Sequence, residues 1–349
     1  MSEKVYVSID LDKIKYPNTG LHSFGMQFMK AMEKIREEEN MDVSYWLPSK
    51  MSAFPLQSKR ILKWRDRFFP LAIKKEEIFH QIFQLGKYMP GKDRKVVLTI
   101  HDLNFLYENS AKKAQKLKRK LQRNIDRSHR LVAISEFVKQ DVLKNMQVGG
   151  KVIDVIYNGC SFYEGEQTDS PVYRPKGGFL FTVGTVLPKK NFHVLPVLLR
   201  DNDRELIIAG NISAYAREIM EEAERYGVSD RVKILGAVSD ADKDWYYRHC
   251  DAFVFPSVAE GFGLPVIEAL SYGKPVFISR HTCLPEIGRD YCYYFNFDFD
   301  RELMVKEFTE GMSHFPSRDV NTLIEYARSY SWECMAREYC HIYRELDKM

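Results

Sequence analysis

The sequence predicts an α/β protein of two domains, each built on a doubly wound parallel sheet. A chain of 349 residues is long for one compact core, and its apolar fraction of 45% is typical of globular proteins. Short apolar runs alternate with helical patterns, as in parallel sheets that are covered by helices. This alternation stops at a polar segment containing Gly and Pro, residues 161–178, and then begins again, which indicates a linker between two domains.

The first half contains six predicted strands, at residues 5–9, 43–47, 78–83, 96–100, 131–134 and 152–157. A helix is predicted over residues 24–38, because apolar side chains recur on one face of it, whereas residues 50–75 are ambiguous. Ligands of doubly wound sheets bind at the carboxyl ends of the strands. His101 directly follows the strand at 96–100, so it either donates a hydrogen bond to a ligand there or caps the strand.

The second half repeats the pattern. Strands are predicted at residues 179–183, 205–210, 231–238, 252–255 and 274–279, and a helix at 266–272. A glycine turn joins the strand 252–255 to the helix 266–272, and its glycines allow the backbone to approach a ligand closely. Helix N-termini carry unpaired N–H groups and partial positive charge, so this turn is a candidate anion site. The donors would be the N–H groups of Phe262, Gly263 and Leu264.

Two carboxylates accompany this turn, Glu260 within it and Glu268 one helical turn further on. A phosphate would repel Glu268, which therefore more plausibly accepts hydrogen bonds from sugar hydroxyls. Glu260 lies on the other side of the turn, where it is placed to contact a second polar group. The alternative interpretation is an ordinary strand–helix connection, with Glu260 as a plain turn residue.

A second candidate anion site follows the predicted strand at 179–183. Gly184 ends this strand, and Lys189 and Lys190 come shortly before an expected helix. Glycine amides together with lysine ammonium groups suit a diphosphate. The alternative is a charged helix start without a ligand.

The segment E-G-F-G-L-P-V-I-E-A-L, residues 260–270, resembles the paired-glutamate motif of the retaining glycosyltransferases of family 4. Further similar segments are V-V-L-T-I-H-D-L at 96–103, Asn-Gly at 158–159, the glycine and lysines of 184–191, and Leu-Pro-Glu at 284–286. The family has the GT-B fold, two Rossmann-like domains with a cleft between them and a C-terminal helix that crosses back. The resemblance implies an N-terminal acceptor domain, residues 1–165 with helix 331–349, and a nucleotide-sugar-binding domain, residues 166–330.

The resemblance also implies a role for each candidate residue. Lys190 would hold the donor diphosphate together with the amides of the glycine turn, and Glu268 would bind the ribose hydroxyls. Glu260 would contact the sugar ring, and His101 would line the sugar pocket from the first domain. The backbone around Val238 would face the nucleotide base, residues 240–250 would form the next helix, and residues 331–346 resemble the family's final helix.

Two segments match the family only in part. Gly20 lies in a loop, residues 18–20, that resembles the family's glycine loop near the diphosphate and the acceptor, although many members have more glycines there. Many relatives carry an arginine just after the glycine of the diphosphate loop. This chain has Thr185 at that place, so Lys189 or another cation is expected to compensate.

The resemblance therefore implies a retaining, metal-independent hexosyltransferase without a cofactor. Its donor would be a nucleotide diphosphate sugar, with GDP-mannose favoured over UDP-sugars, and its acceptor a growing surface glycan such as lipopolysaccharide, lipid-linked or oligosaccharide. Several Asp-x-Asp triplets are interpreted as solvated, because none has the context of a metal site. The alternatives are a nucleotide-sugar epimerase or phosphorylase on the same fold, or a non-catalytic partner subunit.

Composition restricts the partners and the compartment. A net charge of +4 is too small to indicate nucleic acid, and six scattered cysteines without a C-x-x-C pair fit a reducing compartment. The charged N-terminus lacks an apolar core of a signal peptide, which argues against a periplasmic binding protein. A cytoplasmic protein, in peripheral contact with the inner face of the membrane, is therefore expected.

One basic segment, residues 111–130, motivates the membrane contact. Nine of its side chains are Lys or Arg, and Leu117, Leu121 and Ile125 form a narrow apolar stripe. Such a helix either rests on an anionic membrane, where the aromatic and basic residues 64–69 would join it, or presents a solvated face.

Overall fold

The computed structural model describes residues 4–17, 19–51, 53–56 and 58–349, with the side chain of residue 67 excepted. Asn18, part of the predicted glycine loop, lies outside the described residues. The chain divides into two compact units: the first runs up to Gly159 and includes Ser331–Met349, and the second is Cys160–Tyr330.

The first unit contains a seven-stranded parallel sheet with the order β3-β2-β1-β4-β5-β6-β7. Its strands are β1 (Val5–Asp10), β2 (Met41–Pro48), β3 (Lys59–Leu62), β4 (Ile78–Gln81), β5 (Val96–Ile100), β6 (Arg130–Ala133) and β7 (Ile153–Val155). The strand order reverses between β1 and β4, so the loops that follow these two strands diverge and leave a crevice at the carboxyl edge. The edge strand β3 falls within the segment that the sequence left ambiguous.

Among the described residues, four α-helices precede the second unit: α1 (Gly20–Ile35), α2 (Phe105–Glu108), α3 (Ala111–Arg127) and α4 (Glu136–Asn145). Helix α1 buries the predicted face of Phe24, Phe28, Met32 and Ile35 against the sheet. It begins four residues earlier than predicted, because the Thr19 hydroxyl accepts a hydrogen bond from the His22 N–H and caps the first turn.

Helix α3 is basic on its outer side only. Its apolar residues Leu121 and Ile125 are fully buried, and Leu117 is half-buried, so the stripe noted in the sequence packs into the unit. The lysines and arginines on the other faces remain largely exposed. No helix in the described part of the chain is long and apolar enough to cross a membrane.

The second unit contains a six-stranded parallel sheet with the order β10-β9-β8-β11-β12-β13. Its strands are β8 (Phe179–Val183), β9 (Glu205–Ala209), β10 (Val232–Gly236), β11 (Ala252–Phe255), β12 (Val276–Ile278) and β13 (Tyr293–Tyr294). Fully buried phenylalanines on β8, β11 and β12 form the centre of its core. The strand order reverses between β8 and β11, which places the two predicted anion segments at the same edge of the sheet.

The helices of this unit are α5 (Ala216–Arg225), α6 (Asp240–His249), α7 (Leu264–Ser271), α8 (Leu284–Gly288), α9 (Arg301–His314) and α10 (Val320–Arg328). The helix expected after the two lysines is instead a 3-10 segment, Phe192–Leu199. Pro196 lies inside it and has no N–H group, so a regular α-helical hydrogen-bond ladder cannot form there.

The last helix, α11 (Trp332–Asp347), belongs to the first unit. Tyr339 and Tyr343 on this helix are fully buried, and their hydroxyls lie 2.9 Å from Thr99 Oγ1 and 2.6 Å from His80 Nδ1. The other ring nitrogen of His80 lies 2.8 Å from Thr99 Oγ1. Two Rossmann-like units, with the C-terminal helix returned to the first, are the architecture of the GT-B fold, and the predicted fold class is confirmed.

Candidate functional site

The candidate site lies at the carboxyl edge of the second sheet, where β8 and β11 are neighbours. The loop after β11 is fastened to the loop after β8 at one carbonyl: the Val258 N–H and the Ser257 hydroxyl both donate to the Lys189 carbonyl, at 2.8 and 3.1 Å. Lys189 thus contributes backbone contacts that hold the two segments together.

A lysine and a glutamate face each other across these loops. Lys190 Nζ lies 2.5 Å from Glu260 Oε1, and the two side chains are only 13% and 15% exposed. The same ammonium group lies 4.9 Å from the centre of the Phe255 ring, at the end of β11. The Glu260 backbone is held in turn, because its N–H donates to the Thr282 hydroxyl at 3.2 Å. The structure therefore brings together Lys190 and Glu260, which the resemblance assigned to the diphosphate and to the sugar ring.

Glycines allow the loops to lie this close to the sheet. Gly184 and Gly210 end β8 and β9 with φ angles of +149° and +138°. A Cβ atom on Gly210 would lie 2.1 Å from the Gly184 carbonyl oxygen, a distance that no side chain tolerates. The Gly184 position faces Lys190, whose Cε would be 3.2 Å from an added Cβ atom. These strand ends therefore require glycine for packing reasons as well as for any ligand.

Helix α7 begins in the glycine turn. Gly263 has a φ of +98° and occupies the N-cap position, so no side chain caps the helix. Pro265 follows within the first turn and has no N–H group. Within the described chain, the N–H groups of Gly263 and Leu264 have no hydrogen-bond partner. The turn therefore presents two unpaired donors at the positive end of a helix, as expected for an anion site.

The side chain of Phe262 is buried beneath the glycine turn. Its side chain is 4% exposed and packs edge-on against the Tyr330 ring, with 5.8 Å between the ring centres. This contact fixes the conformation of the glycine turn from the inside, so the side chain of Phe262 supports the turn.

Glu268 lies one turn into α7 and is held by two groups from α6. The Tyr247 hydroxyl donates to Glu268 Oε2 at 2.8 Å, and Lys243 Nζ lies 3.4 Å from Oε1. The carboxylate raises the pKa of Lys243, and burial followed by the same carboxylate raises the pKa of Tyr247. Lys243 therefore stays charged and Tyr247 stays protonated, so both remain donors to this carboxylate.

Sequence reasoning missed both of these partners. Lys243 and Tyr247 are four residues apart on the predicted helix 240–250, so they share one face of it. The spacing indicates that the two side chains act together, but nothing in the sequence indicated which element this face would contact.

The remaining predicted donor-binding residues lie around this edge. Val238 is half-buried in the loop between β10 and α6, and Thr185 is exposed directly after Gly184. Neither has a side chain that the structure places against Lys190 or Glu260. Their proposed roles toward a base and a phosphate stay predictions.

The first unit holds His101 and Gly20. His101 follows β5, is 7% exposed, and lies 2.7 Å from the Ile82 carbonyl through Nε2. Burial lowers the pKa of His101 to about 4, so the ring is neutral. A carbonyl only accepts hydrogen bonds, so Nε2 carries the proton and Nδ1 is left as an acceptor. The side chain that the sequence presented as a donor is therefore an acceptor on its other nitrogen.

Gly20 is the first residue of α1, and a Cβ atom added there would meet open space. It has no positive φ angle, so its backbone conformation does not require glycine. The structure gives this residue a position at a helix start and leaves its contact with a ligand a prediction.

Two family models match the chain. One, described as glycosyl transferases group 1, matches residues 166–313, and the other, described as glycosyltransferase family 4, matches residues 44–161. The chain belongs to glycosyltransferase family 4. The predicted family is thereby confirmed, and with it a role in glycosyl transfer.

Known proteins agree with this assignment. The chain is 23% identical over 379 residues to O-antigen chain mannosyltransferase B of Escherichia coli, covering 96% of this chain and 98% of the relative. Sucrose-phosphate synthase from Thermosynechococcus elongatus has a similar fold, with a TM-score of 0.74, 16% identity, and coverage of 98% and 99%. Anabaena Alr3699/HepE, solved in complex with UDP and glucose, gives a TM-score of 0.67 at 15% identity, with coverage of 97% and 100%.

Proposed function

We propose that the protein transfers a hexose-type sugar, with retention of anomeric configuration, from a nucleoside diphosphate sugar to a growing surface glycan, lipid-linked or oligosaccharide. GDP-mannose is the favoured donor because the relative described above is an O-antigen mannosyltransferase, and UDP-sugars come next because UDP is bound in the HepE structure. The observation that carries the proposal is the Lys190 ammonium group 2.5 Å from Glu260, at the edge where α7 begins.

The donor diphosphate would bind between Lys190 and the N–H groups of Gly263 and Leu264. These donors are a point charge and two amides at the positive end of a helix, a combination suited to an anion. In the structure the charge of Lys190 is balanced by Glu260. Diphosphate would take over that pairing and free the Glu260 carboxylate to accept hydrogen bonds from the sugar hydroxyls.

Glu268 would bind the ribose hydroxyls. Its carboxylate is already oriented by Tyr247 and Lys243, so two hydroxyl groups can bind without a further loss of side-chain entropy. In the first unit His101 is proposed to accept a hydrogen bond from the sugar through Nδ1. Val238, Thr185 and Gly20 complete the proposed set through backbone contacts.

In the proposed reaction the bond between the anomeric carbon and the phosphate oxygen breaks, and a bond to the acceptor oxygen forms on the same face. The acceptor proton passes to an oxygen of the leaving diphosphate. The leaving group gains negative charge in the transition state, so the donors that surround it should contribute most of the rate enhancement. Lys190 and the amides of α7 would supply this stabilisation without a metal ion.

The experiment is nucleotide release from a panel of GDP- and UDP-sugars, with and without an oligosaccharide acceptor. Wild type should release one nucleotide only when the acceptor is present. Lys190→Ala and Glu268→Ala should each lower kcat/KM for the donor by at least about tenfold, the worth of a hydrogen bond to a charged group. Lys233→Ala is the matched control, since Lys233 is a half-buried lysine of the same unit whose ammonium group donates to the Asp230 carbonyl and lies over the Tyr173 ring.

Three results would contradict the proposal. Product formation without an acceptor would indicate an epimerase or a phosphorylase. Absence of nucleotide binding in calorimetry would indicate a non-catalytic partner. Near-wild-type transfer by both alanine variants would remove Lys190 and Glu268 from the site.

We also propose that the exposed basic face of α3 contacts an anionic membrane surface by charge alone, because its apolar stripe is buried. Trp64, Phe68 and Phe69 of the first unit are 75%, 69% and 66% exposed and would add aromatic contacts at the interface. Sedimentation with anionic vesicles should carry the protein down at low salt, and neutral vesicles should not. Equal binding to both vesicle types would contradict this.

A further inference from the structure

The first unit has a crevice at its own carboxyl edge, where β1 and β4 are neighbours and the strand order reverses. In open parallel sheets this is the position at which ligands bind. The loop after β1 carries Lys13, and the loop after β4, residues 82–87, carries Lys87. Helix α3 adds Lys120 from the same unit.

These three lysines converge on one short segment. Lys13 Nζ lies 4.7 Å from the centre of the Phe83 ring, and Lys120 Nζ donates a hydrogen bond to the Leu85 carbonyl at 2.7 Å. Lys87 is two residues further on and is exposed. Two ammonium groups therefore contact Phe83 and Leu85, and a third lysine, Lys87, belongs to the same loop at the edge where the crevice opens.

The protein balances their positive charge only in part, through Asp12 and Asp10. Within the described residues none of the three lysines takes part in a salt bridge. The nearby Asp12 is already engaged, with its carboxylate 2.5 Å from Lys15 Nζ. Asp10 is 4% exposed, and burial raises its pKa to about 7, so it carries only part of a negative charge at neutral pH.

The lysines of the cluster lower one another's pKa values, in addition to the larger effect of burial. Burial lowers the pKa of Lys120 to about 8, and Lys87 and Lys13 add to the effect. Burial likewise lowers the pKa of Lys13; the Asp12 carboxylate opposes this effect, and Lys15 and Lys87 add to it. A cluster that is electrostatically unfavourable by itself becomes favourable when an anion binds among its members.

We propose that Lys13, Lys87 and Lys120 bind a phosphate or diphosphate group carried by the acceptor. That the ligand is an acceptor rests on the proposed function. That it carries an anionic group rests on the crevice and on the lysines that have no salt-bridge partner. A tetrahedral phosphate offers several oxygens to ammonium groups that approach from different elements, which a planar carboxylate does less well. The site would select acceptors that carry a phosphate next to the sugar that is extended.

The test is calorimetric titration of the full chain with inorganic pyrophosphate. Pyrophosphate would also bind at Lys190, so all measurements are made in the Lys190→Ala background. Lys13→Gln and Lys120→Gln together should weaken pyrophosphate binding by about 100-fold, tenfold for each lost charge-assisted hydrogen bond, and Lys87→Gln alone by less. The matched control is Lys112→Gln with Lys116→Gln, two exposed lysines of α3.

A second variant keeps the test valid if the Lys13→Gln/Lys120→Gln protein does not fold. Lys87 is exposed, so Lys87→Gln should leave the thermal midpoint unchanged, and its loss of affinity is interpretable even if the double variant does not fold. Binding that is as tight in the Lys87→Gln and Lys13→Gln/Lys120→Gln proteins as in the control would overturn the proposal.

Transfer assays distinguish the source of the anion and the two proposals. In the protein with Lys190 intact, Lys13→Gln/Lys120→Gln should raise KM for a phosphate-bearing acceptor and leave KM for the donor unchanged. A soluble phosphorylated acceptor and a lipid-linked one should be affected alike if the phosphate itself is recognised. Pyrophosphate binding that depends on these lysines, in a protein that transfers no sugar, would keep the subsite and refute the proposed function. Sugar transfer in which the acceptor KM is the same with and without the lysines would keep the proposed function and refute the subsite.

Discussion

Removal of the Lys190 charge tests what its ion pair with Glu260 contributes to stability and what it contributes to catalysis. Lys190→Met keeps a side chain that packs on the Phe255 ring but leaves the Glu260 carboxylate without the partner that lies at 2.5 Å. An ion pair that is fully buried loses about 3–5 kcal/mol when one partner is removed, whereas an exposed pair is worth about 0.2–1 kcal/mol. With exposures of 13% and 15% this pair lies toward the buried limit, so we expect a loss of about 2–3 kcal/mol.

A second substitution should restore the stability and not the activity. Glu260→Gln in the Lys190→Met protein removes the unpaired charge, and about 1–2 kcal/mol of unfolding free energy should return. Donor use should stay low, because the diphosphate still lacks its ammonium partner. The loss corresponds to about 1.5–3 kcal/mol, or roughly 10- to 150-fold in kcat/KM.

The assays are urea unfolding and donor-dependent nucleotide release on wild type, on the single variants Lys190→Met and Glu260→Gln, and on the double variant. Activity that returns together with stability in the double variant would mean that the pair only holds the two loops in place. Our reasoning about the diphosphate would then be wrong, even though the geometry of the loops would stand.

Three further results are expected. Burial lowers the pKa of His80 from 6.5 to about 3, so below pH 6.5 the unfolded chain binds a proton that the folded protein does not bind. Acidification from pH 6.5 to 4 should therefore lower the unfolding free energy by about 3 kcal/mol through His80. Gly210→Ala, which drives a Cβ atom into the Gly184 carbonyl, should cost at least about 3 kcal/mol in urea unfolding. Tyr247→Phe, which removes a donor from Glu268, should raise the donor KM about tenfold with little change in kcat.

Each of these has a matched control. Gly177→Ala introduces a Cβ atom into open space and should be nearly neutral; an equal cost at both glycines would refute the steric argument. Tyr272 stacks on Tyr247 but donates to Asp244, so Tyr272→Phe should leave donor KM unchanged. For the pH prediction, His80→Gln should weaken the dependence of unfolding free energy on pH below 6.5. An unchanged slope would contradict the assignment of this dependence to His80.

The sequence was sufficient wherever a local pattern determines structure. Period-two and continuous apolar runs located the central strands, and the spacing of Phe24, Phe28, Met32 and Ile35 located the buried face of α1. The glycine turn before α7 was predictable because glycine allows tight turns and proline favours the first turn of a helix.

Contacts between distant segments were not predictable. Nothing in residues 240–250 indicates that Tyr247 and Lys243 meet Glu268. The stripe of α3 shows the same limit, because an apolar face reads alike whether a sheet or a membrane covers it. Orientation of the His101 ring depended on the position of the Ile82 carbonyl, which no local pattern gives.

The return of α11 has a consequence for synthesis on the ribosome. The second unit is contiguous, so it can close its core as soon as Tyr330 has left the exit tunnel. The first unit must wait for the final residues, because Tyr339 and Tyr343 supply the partners of Thr99 and His80. An amino-terminal half made first is completed last, and until then its nascent chain carries an open apolar groove that suits a chaperone.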